Sequence, residues 1–296
     1  MEYAENLTLW HKALRCPKML RRHSPKTLLL WYGRHFFTKK AYLGYEQRTE
    51  AVLKSQDNDH IPRCENAGRI VDGMMTMHNG LKVFPDSYEG PDMTALLGVA
   101  RGVHEPQEER AFAQVVAQLP SGATMLELGA YWSFYSMWFQ QCIERGHSFM
   151  VEPRKENLEW GKKNFAANNM SGDFTNAMVG GRTDVAADGT PIICVDDFSQ
   201  SKGIEHIDLL HADIQGAEIS MLLGAERMLR QRRIDYLIIA THGMTRHIRV
   251  VELLDEFGYR VLAEADRIET FSLDGVAIAC RNEIRDCPSI SISKNS

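Results

Sequence analysis

The chain has 296 residues, of which 44% are hydrophobic and 25% charged, a composition typical of a globular protein and not of a disordered chain. Its net charge of −5 is uneven, because residues 1–50 carry ten Lys or Arg against four Asp or Glu, whereas the remainder has a net charge of −11. An acidic body argues against a nucleic-acid partner, which would favour a basic surface. The basic start is interpreted as a solvated arm, with an acidic substrate or an anionic membrane surface as alternative contacts.

Apolar runs and cysteines indicate the compartment. The longest apolar run near the start, residues 28–32, is far shorter than the about 20 residues that a membrane-spanning helix needs. Basic residues between positions 12 and 22 interrupt any signal-peptide core,. The six cysteines have neither metal-ligand nor redox spacing,. We therefore expect a cytoplasmic protein without an integral membrane segment.

The first 122 residues show no regular alternation of strands and helices. Residues 1–72 are predicted to be a mostly helical N-terminal extension, with an amphipathic helix over 28–45 and a polar linker over 55–68,. Residues 73–122 are predicted to be a lead-in that ends in a helix over 105–119 and packs on or covers the core,.

From residue 123 onward, strands alternate with helices. The predicted strands are Ala123–Leu128, Ser148–Val151, Phe174–Val179, Ile207–Ala212, Tyr236–Ala240, Arg260–Ala265 and Gly275–Ala279, and the predicted helices are Ser133–Arg145, Lys155–Asn168, Ala217–Gln231 and Thr245–Phe257. This alternation is typical of a mostly parallel sheet flanked by helices. We predict a Rossmann-like α/β domain over residues 123–285 and a flexible tail over 286–296.

Folds of this kind bind ligands at the carboxyl ends of their strands. Gly129 follows the first strand and permits a tight turn, and Glu152 follows the second strand, where a carboxylate can accept ribose hydroxyls,. A dinucleotide fingerprint needs two further glycines, but Tyr131 and Phe134 stand there, which disfavours a nicotinamide cofactor,. S-adenosylmethionine has no phosphate, and its ammonium and sulfonium suit the Glu127 carboxylate and the Tyr131 ring. A turn without any ligand is the alternative explanation.

One segment resembles the signature of a known family. Ile207–Glu218 is an apolar strand followed by Asp, Ile, Gln, Gly, Ala and Glu, and it resembles the FkbM family of methyltransferases. Segments 126–134, 151–153 and 241–243 resemble the same family, and 78–109 resembles one branch of it. The resemblance implies a class I methyltransferase domain that binds S-adenosylmethionine and methylates hydroxyl oxygens of small molecules such as sugars and polyketides.

Three positions depart from the usual pattern of that family. Tyr131 replaces a small or amide residue and Ser133 a glycine, which would reshape the methionine pocket. His211 replaces a common lysine, which would alter the substrate side. The residues expected to bind the cofactor are Glu127, Gly129, Tyr131, Ser133, Glu152 and Asp213.

Asp213 and His242 follow neighbouring predicted strands and are the expected catalytic residues. Transfer to a hydroxyl requires alignment of the reactants and removal of a proton. We predict that His242 takes the proton, since imidazole titrates near neutral pH, and that Asp213 positions cofactor and imidazole, with Asp213 as base the open alternative. A helix cap at Asp213 and a structural strand-end histidine are the non-catalytic explanations. His211, Gln215 and Glu218 are predicted on the substrate side, although Glu218 could equally act through the helix dipole.

The leading hypothesis is an S-adenosylmethionine-dependent methyltransferase acting on a hydroxyl of a small molecule. The alternatives are a non-catalytic scaffold protein that retains the nucleoside pocket, and a nicotinamide oxidoreductase. His211, Asp213 and His242 raise the question of a divalent metal, but soft-metal spacing is absent, so no metal is assigned. The identity of the acceptor and the oligomeric state stay open.

Overall fold

The computed structural model describes residues 44–285, 287 and 289–295. Nearly all of the helix predicted over 28–45 therefore lies outside the described residues. The chain divides into two units, Met1–Gly44 and Tyr45–Ser296, and the second contains every element described below.

The second unit alternates strands and helices along most of its length. The helices are α1 (Tyr45–Lys54), α2 (Pro91–Val99), α3 (Pro106–Val116), α4 (Phe134–Cys142), α5 (Lys155–Ala167), α6 (Val195–Lys202), α7 (Glu218–Leu223), α8 (Glu226–Arg230) and α9 (Met244–Glu256), with a 3-10 helix at Gln56–His60. The strands are β1 (Ile70–Val71), β2 (Met74–Thr76), β3 (Lys82–Val83), β4 (Thr124–Leu128), β5 (His147–Val151), β6 (Asp173–Thr175), β7 (Met178–Val179), β8 (Asp184–Val185), β9 (Pro191–Ile193), β10 (Ile207–Ala212), β11 (Ile234–Thr241), β12 (Tyr259–Ala265) and β13 (Gly275–Arg281). In the described part of the chain, no helix has the length and apolar character to cross a membrane.

The core is a seven-stranded sheet in the order β6-β5-β4-β10-β11-β13-β12. Strands β6 to β11 in this order run parallel, whereas β13 is antiparallel to both of its neighbours. Its central strands are mostly apolar on both faces, as expected for parallel strands covered by helices on both sides,. The sheet confirms the predicted Rossmann-like class I methyltransferase fold.

Alternating residues of each central strand enter two different hydrophobic layers. On β4, Met125 packs with residues of α2 to α5, whereas Leu126 and Leu128 pack with residues of α6 to α9. On β10, Leu209 belongs to the first layer and Leu210 to the second. Because side chains alternate along a strand, Glu127 and His211 share the face of Met125 and Leu209. Two ionisable side chains are therefore buried on the face covered by α3 and α4.

Two predicted elements are interrupted in the structure. The strand predicted over 174–179 splits into β6 and β7, and Asn176 between them donates its amide Nδ2 to the carbonyl oxygens of Glu152 and Pro153 at 2.9 and 2.8 Å. The helix predicted over 217–231 is broken into α7 and α8 at Gly224. A Cβ at Gly224 would lie 2.5 Å from the Gly180 carbonyl oxygen, so this close backbone approach accepts only glycine.

Residues 45–72 and the C-terminal segment are part of the second unit, which differs from the predicted extension, linker and flexible tail. Asp57, in the predicted linker, is fully buried and accepts from Arg110 Nη1 on α3 at 2.8 Å. The Ser293 amide donates to the same carboxylate at 3.0 Å, and Gln114 binds Ser291. Polar side chains near both ends of this unit therefore bind α3, although the sequence pattern predicts that they are solvated.

Cys280 on β13 and Cys287 are joined in a disulfide, with their Cα atoms 7.3 Å apart. The cysteine spacing in the sequence does not predict this pair, because seven residues is typical of neither a metal site nor a redox motif,.

Candidate active site

The loops that follow β4, β5 and β10 meet at one point of the sheet edge. The amides of Gly129 and Ala130 donate to the Val151 carbonyl at 2.9 and 3.0 Å, and the Asp213 amide donates to the Leu128 carbonyl at 2.9 Å. Gly129 has φ +76°, and a Cβ there would collide with the backbone carbonyl of Asp213. Glycine is therefore required at this position, as the sequence indicates.

Glu152 directly follows β5 and is a buried carboxylate held by several hydrogen bonds. Its Oε1 accepts from the Arg154 amide at 2.9 Å and from Asn157 Nδ2 at 3.2 Å, and its Oε2 accepts from the Tyr131 amide at 3.2 Å. Burial raises the pKa of Glu152 despite these hydrogen bonds. Each carboxylate oxygen can accept two hydrogen bonds, so Oε2 has room for one more donor. Glu152 therefore fits its expected role, which is to accept a hydrogen bond from a ribose hydroxyl.

The loop between β4 and α4 holds Tyr131 and Ser133 in the left-handed region, at φ +45° and +61°. Residues with a Cβ adopt this region at a cost in energy. The Tyr131 ring packs on Tyr88 with ring centroids 5.5 Å apart, and its hydroxyl accepts from the Glu89 amide at 2.9 Å. Ser133 is fully buried, and a Cβ at Gly161 on α5 would collide with its Oγ. The structure thus turns the Ser133 hydroxyl toward α5.

Glu127 lies beneath this loop. It is the strand neighbour of His211, and its Oε2 accepts from the Ser136 amide at 3.2 Å. Burial raises the pKa of Glu127 to about 7, although the nearby His211 and the hydrogen bond from Ser136 oppose the shift. Its carboxyl group therefore titrates close to neutral pH inside the layer covered by α4.

His242 is surrounded by three carboxylates at the carboxyl end of β11. Its Nδ1 is 2.6 Å from Glu218 Oε1, and its Nε2 is 3.3 Å from Asp213 Oδ1 and 3.4 Å from Asp274 Oδ1. Burial alone would lower the pKa of His242, but these carboxylates raise it to about 12. The imidazole is therefore protonated at neutral pH. Burial would raise the pKa of Asp213, but the hydrogen bond to His242 lowers it instead.

The three residues expected on the substrate side occupy different environments. Gln215 is exposed and donates Nε2 to Asp213 Oδ1 at 3.1 Å. Glu218 is fully buried and accepts from the Gly216 amide at 2.8 Å, which fixes its carboxylate beside His242 Nδ1. His211 is also buried, with its ring 4.3 Å from that of Tyr135.

Glu108 on α3 contacts His211 and was not recognised from the sequence. His211 Nε2 is 2.7 Å from Glu108 Oε1. Burial lowers the pKa of His211, whereas burial raises that of Glu108, with Asp213 and Asp274 adding to the rise. Burial therefore favours the uncharged form of both side chains. The sequence does contain a signal that Glu108 is buried, because Glu108 lies four residues before Phe112 on a helix and hence on the same buried face.

Glu109 forms a second buried contact between α3 and histidines. Its carboxylate is 3.2 Å from His78 Nε2 and 2.7 Å from His104 Nδ1. Burial on its own would raise the pKa of Glu109, but the two histidines hold it well below the ordinary value. The first turns of α3 thus carry buried charge, where the sequence suggested only favourable contacts with the helix dipole.

One group of three possible metal ligands occurs among the described residues, namely His206, Asp208 and Asp235. They lie at the amino ends of β10 and β11, at the opposite edge of the sheet from His242. Asp235 also binds Arg281 Nε at 2.6 Å, so a guanidinium already neutralises this carboxylate.

Comparisons with known proteins agree with this architecture. Residues 113–261, half of the chain, match the family model of the methyltransferase FkbM domain. Comparison with curated proteins gives no match.

Similar solved structures include a precorrin-6y C5,15-methyltransferase from Geobacter metallireducens GS-15, 14% identical over 58% of this chain and 84% of its own, with a TM-score of 0.40. Another is TrmK from M. capricolum in complex with S-adenosyl-homocysteine, 13% identical over 58% and 67%, with a TM-score of 0.42. A third is a SAM-dependent methyltransferase from Aquifex aeolicus, 12% identical over 58% and 88%, with a TM-score of 0.39. This chain belongs to the FkbM family of methyltransferases, and its cofactor is S-adenosylmethionine.

Proposed function

We propose that the protein methylates a hydroxyl oxygen of a small molecule, such as a sugar or a polyketide-like natural product. The observation that carries the proposal is the pairing of Asp213 with a charged His242 at the sheet edge, next to the loop of Gly129. A partly exposed carboxylate at this place can receive a proton from an acceptor that approaches the cofactor. The family resemblance to enzymes acting on hydroxyl groups supports the same choice.

S-adenosylmethionine supplies a methyl group already activated by positive sulfur. Asp213, with 32% of its side chain exposed, accepts the hydrogen bond of the acceptor hydroxyl and then its proton. An oxygen that gains a methyl group becomes strongly acidic, so a carboxylate of low pKa is basic enough to take the proton. His242 retains its own proton, orients Asp213 and is itself held by Glu218. These roles reverse the sequence-based assignment of the base, because an imidazolium has no lone pair to offer.

Product identification tests the proposal. The protein is incubated with S-adenosylmethionine labelled in its methyl group and with sugars and polyketides, each paired with an analogue that lacks the hydroxyl. We expect the label to appear in a methyl ether only when the hydroxyl is present. Label on nitrogen or carbon would contradict O-methylation. Cofactor binding without turnover of any acceptor would favour the scaffold alternative.

Two variants separate the roles of the proposed pair. Asp213→Asn should lower kcat by about 10²–10⁴-fold, the usual contribution of a positioned base. His242→Gln should cost less, on the order of tenfold, and the rate of the wild type should show no histidine titration between pH 6 and 8, because the pKa of His242 is about 12. If His242→Gln is as damaging as Asp213→Asn and the rate falls below about pH 6.5, His242 is the base. A chelator control should leave the rate unchanged, in keeping with the expectation of no metal.

A further inference from the structure

Arg48 on α1 is a buried guanidinium with an incomplete set of partners. Its Nη1 donates to Glu89 Oε2 at 2.6 Å and its Nη2 to the Tyr88 hydroxyl at 2.9 Å. Only 10% of its side chain is exposed. Its Nε is buried and has no hydrogen-bond partner among the residues that the structure describes. Buried donors of this kind are rare in proteins and call for an explanation.

The partners of Arg48 connect it directly to the cofactor loop. The Tyr88 ring stacks on Trp132 at a centroid distance of 4.7 Å, and the Glu89 amide donates to the Tyr131 hydroxyl at 2.9 Å. Residues 88 and 89 thus join α1 to the loop that follows β4. A movement of Tyr88 or Glu89 would therefore affect both α1 and this loop.

The electrostatic surroundings of Arg48 extend to the proposed site of methyl transfer. Burial would lower the pKa of Arg48, but Tyr88, Glu89 and Glu105 raise it above the ordinary value. Burial raises the pKa of Glu105 to about 8, and Glu108 and Asp213 add to the rise. Arg48 is therefore a firmly protonated group within a region otherwise rich in acidic side chains.

The methionine end of S-adenosylmethionine carries an ammonium, a sulfonium and a carboxylate. A carboxylate such as Asp213, whose pKa is lowered, suits the two positive groups but would repel the negative one. A carboxylate and an arginine guanidinium match in a two-pronged geometry. In the protein alone, the Glu89 carboxylate binds Arg48, and 46% of its side chain is exposed, so Glu89 can move into water when another carboxylate arrives.

We infer that Arg48 binds the methionine carboxylate of the cofactor, and that Glu89 holds this position until the cofactor replaces it. The inference rests on the S-adenosylmethionine cofactor and is independent of the atom that is methylated. It also gives a role to α1, which lies outside residues 113–261 that match the family model. Arg48 is a binding residue in this account and takes no part in proton transfer.

Calorimetry with three ligands tests the inference without any acceptor. S-adenosyl-homocysteine carries the carboxylate, its decarboxylated amine lacks only that group, and 5′-methylthioadenosine lacks the whole amino-acid part. Arg48→Met should weaken S-adenosyl-homocysteine binding by about 10- to 100-fold, the range of a charge-assisted pair. Affinities for the other two ligands should change less than about twofold, within the error of independent sites.

Glu89→Gln provides the matched control. It removes the competing carboxylate and leaves Arg48 in place, so it should maintain or strengthen binding of S-adenosyl-homocysteine. A purely structural Arg48–Glu89 ion pair predicts the opposite, namely that both variants weaken all three ligands alike. If Arg48→Met does not fold, Arg48→Lys keeps the charge without the two-pronged geometry and should still weaken S-adenosyl-homocysteine selectively. Equal losses for all ligands, or no loss for any, would overturn the inference.

Discussion

The two halves of the sheet edge are built in different ways. We call the part proposed to bind the cofactor the cofactor half, and it consists of Gly129, Tyr131 and Glu152. The part proposed to bind the acceptor is the acceptor half, and it consists of Glu108, His211, Asp213, His242 and Asp274. In the cofactor half, the Glu152 carboxylate binds backbone amides and one side-chain amide, all within about two dozen residues of the chain. In the acceptor half, ionisable side chains face one another, and Glu108 lies 103 residues from His211.

This difference has a consequence for charge. Backbone and asparagine amides do not titrate in the ordinary pH range, so Glu152 is the only partner in these contacts of the cofactor half that can change charge. The acceptor half instead depends on protons shared between carboxyl groups and histidines, and low local dielectric makes such contacts strong and their loss costly. We therefore expect pH to alter the acceptor half first.

The largest effect is expected for Glu127, at the border of the acceptor half. Its pKa is about 7 in the folded protein against an ordinary 4.5, so the folded state holds this proton more tightly than the unfolded state. The resulting stabilisation is complete below about pH 4 and is lost as the pH rises through 7. Relative to Glu127→Gln, the free energy of unfolding of the wild type should fall by roughly 3 kcal/mol between pH 4 and pH 8.

Chemical denaturation at several pH values measures this change, with Glu156→Gln on the exposed start of α5 as the control. Glu156→Gln measures the effect of removing an exposed acidic side chain. A flat difference for Glu127 would mean that its carboxyl group is solvated, and the contrast between the two halves would lose its clearest support.

An intermediate effect is expected for Glu152 in the cofactor half. Glu152→Ala removes the carboxylate that would receive a ribose hydroxyl, and should weaken S-adenosylmethionine binding about tenfold or more, which is on the order of 1.4 kcal/mol. Calorimetry on Glu152→Ala and on the control Glu156→Ala measures it. The affinity for 5′-methylthioadenosine should fall as well, because this ligand retains the ribose. Unchanged affinity in a folded variant would remove Glu152 from the site.

The smallest effect is expected from deleting residues 1–44. Because the chain divides into two units at Gly44, the truncated protein should keep the Tm and the cofactor affinity of the full chain. Deleting residues 1–60 is the informative comparison, since it also removes Arg48 and Asp57, and leaves Arg110 without its buried partner. That protein should melt at lower temperature. If the deletion of residues 1–44 lowers the Tm as much as the deletion of residues 1–60, residues 1–44 contribute to the stability of the domain.

Local features of the sequence determined the fold and the cofactor half. The strand predicted over Ile207–Ala212 has the same bounds in the structure, because a short, mostly apolar segment before a polar turn is typical of a buried strand. Gly129 and Glu152 were predicted as cofactor-binding residues from their positions after two strands, and the structure places both at the carboxyl edge of the sheet. Such positions depend on backbone conformation and on neighbours close in the chain, which is the information that a single sequence carries.

The tertiary structure alone decided the charge state of the acceptor half. Nothing in the neighbourhood of His242 in the chain indicates that Asp213, Glu218 and Asp274 surround it and keep it protonated. The burial of Glu108 against His211, and the contact of Arg48 with the cofactor loop, likewise join segments that are distant in sequence. A pKa depends on through-space distance to other charges and on burial, and both are set only when α1, α2 and α3 pack on the sheet.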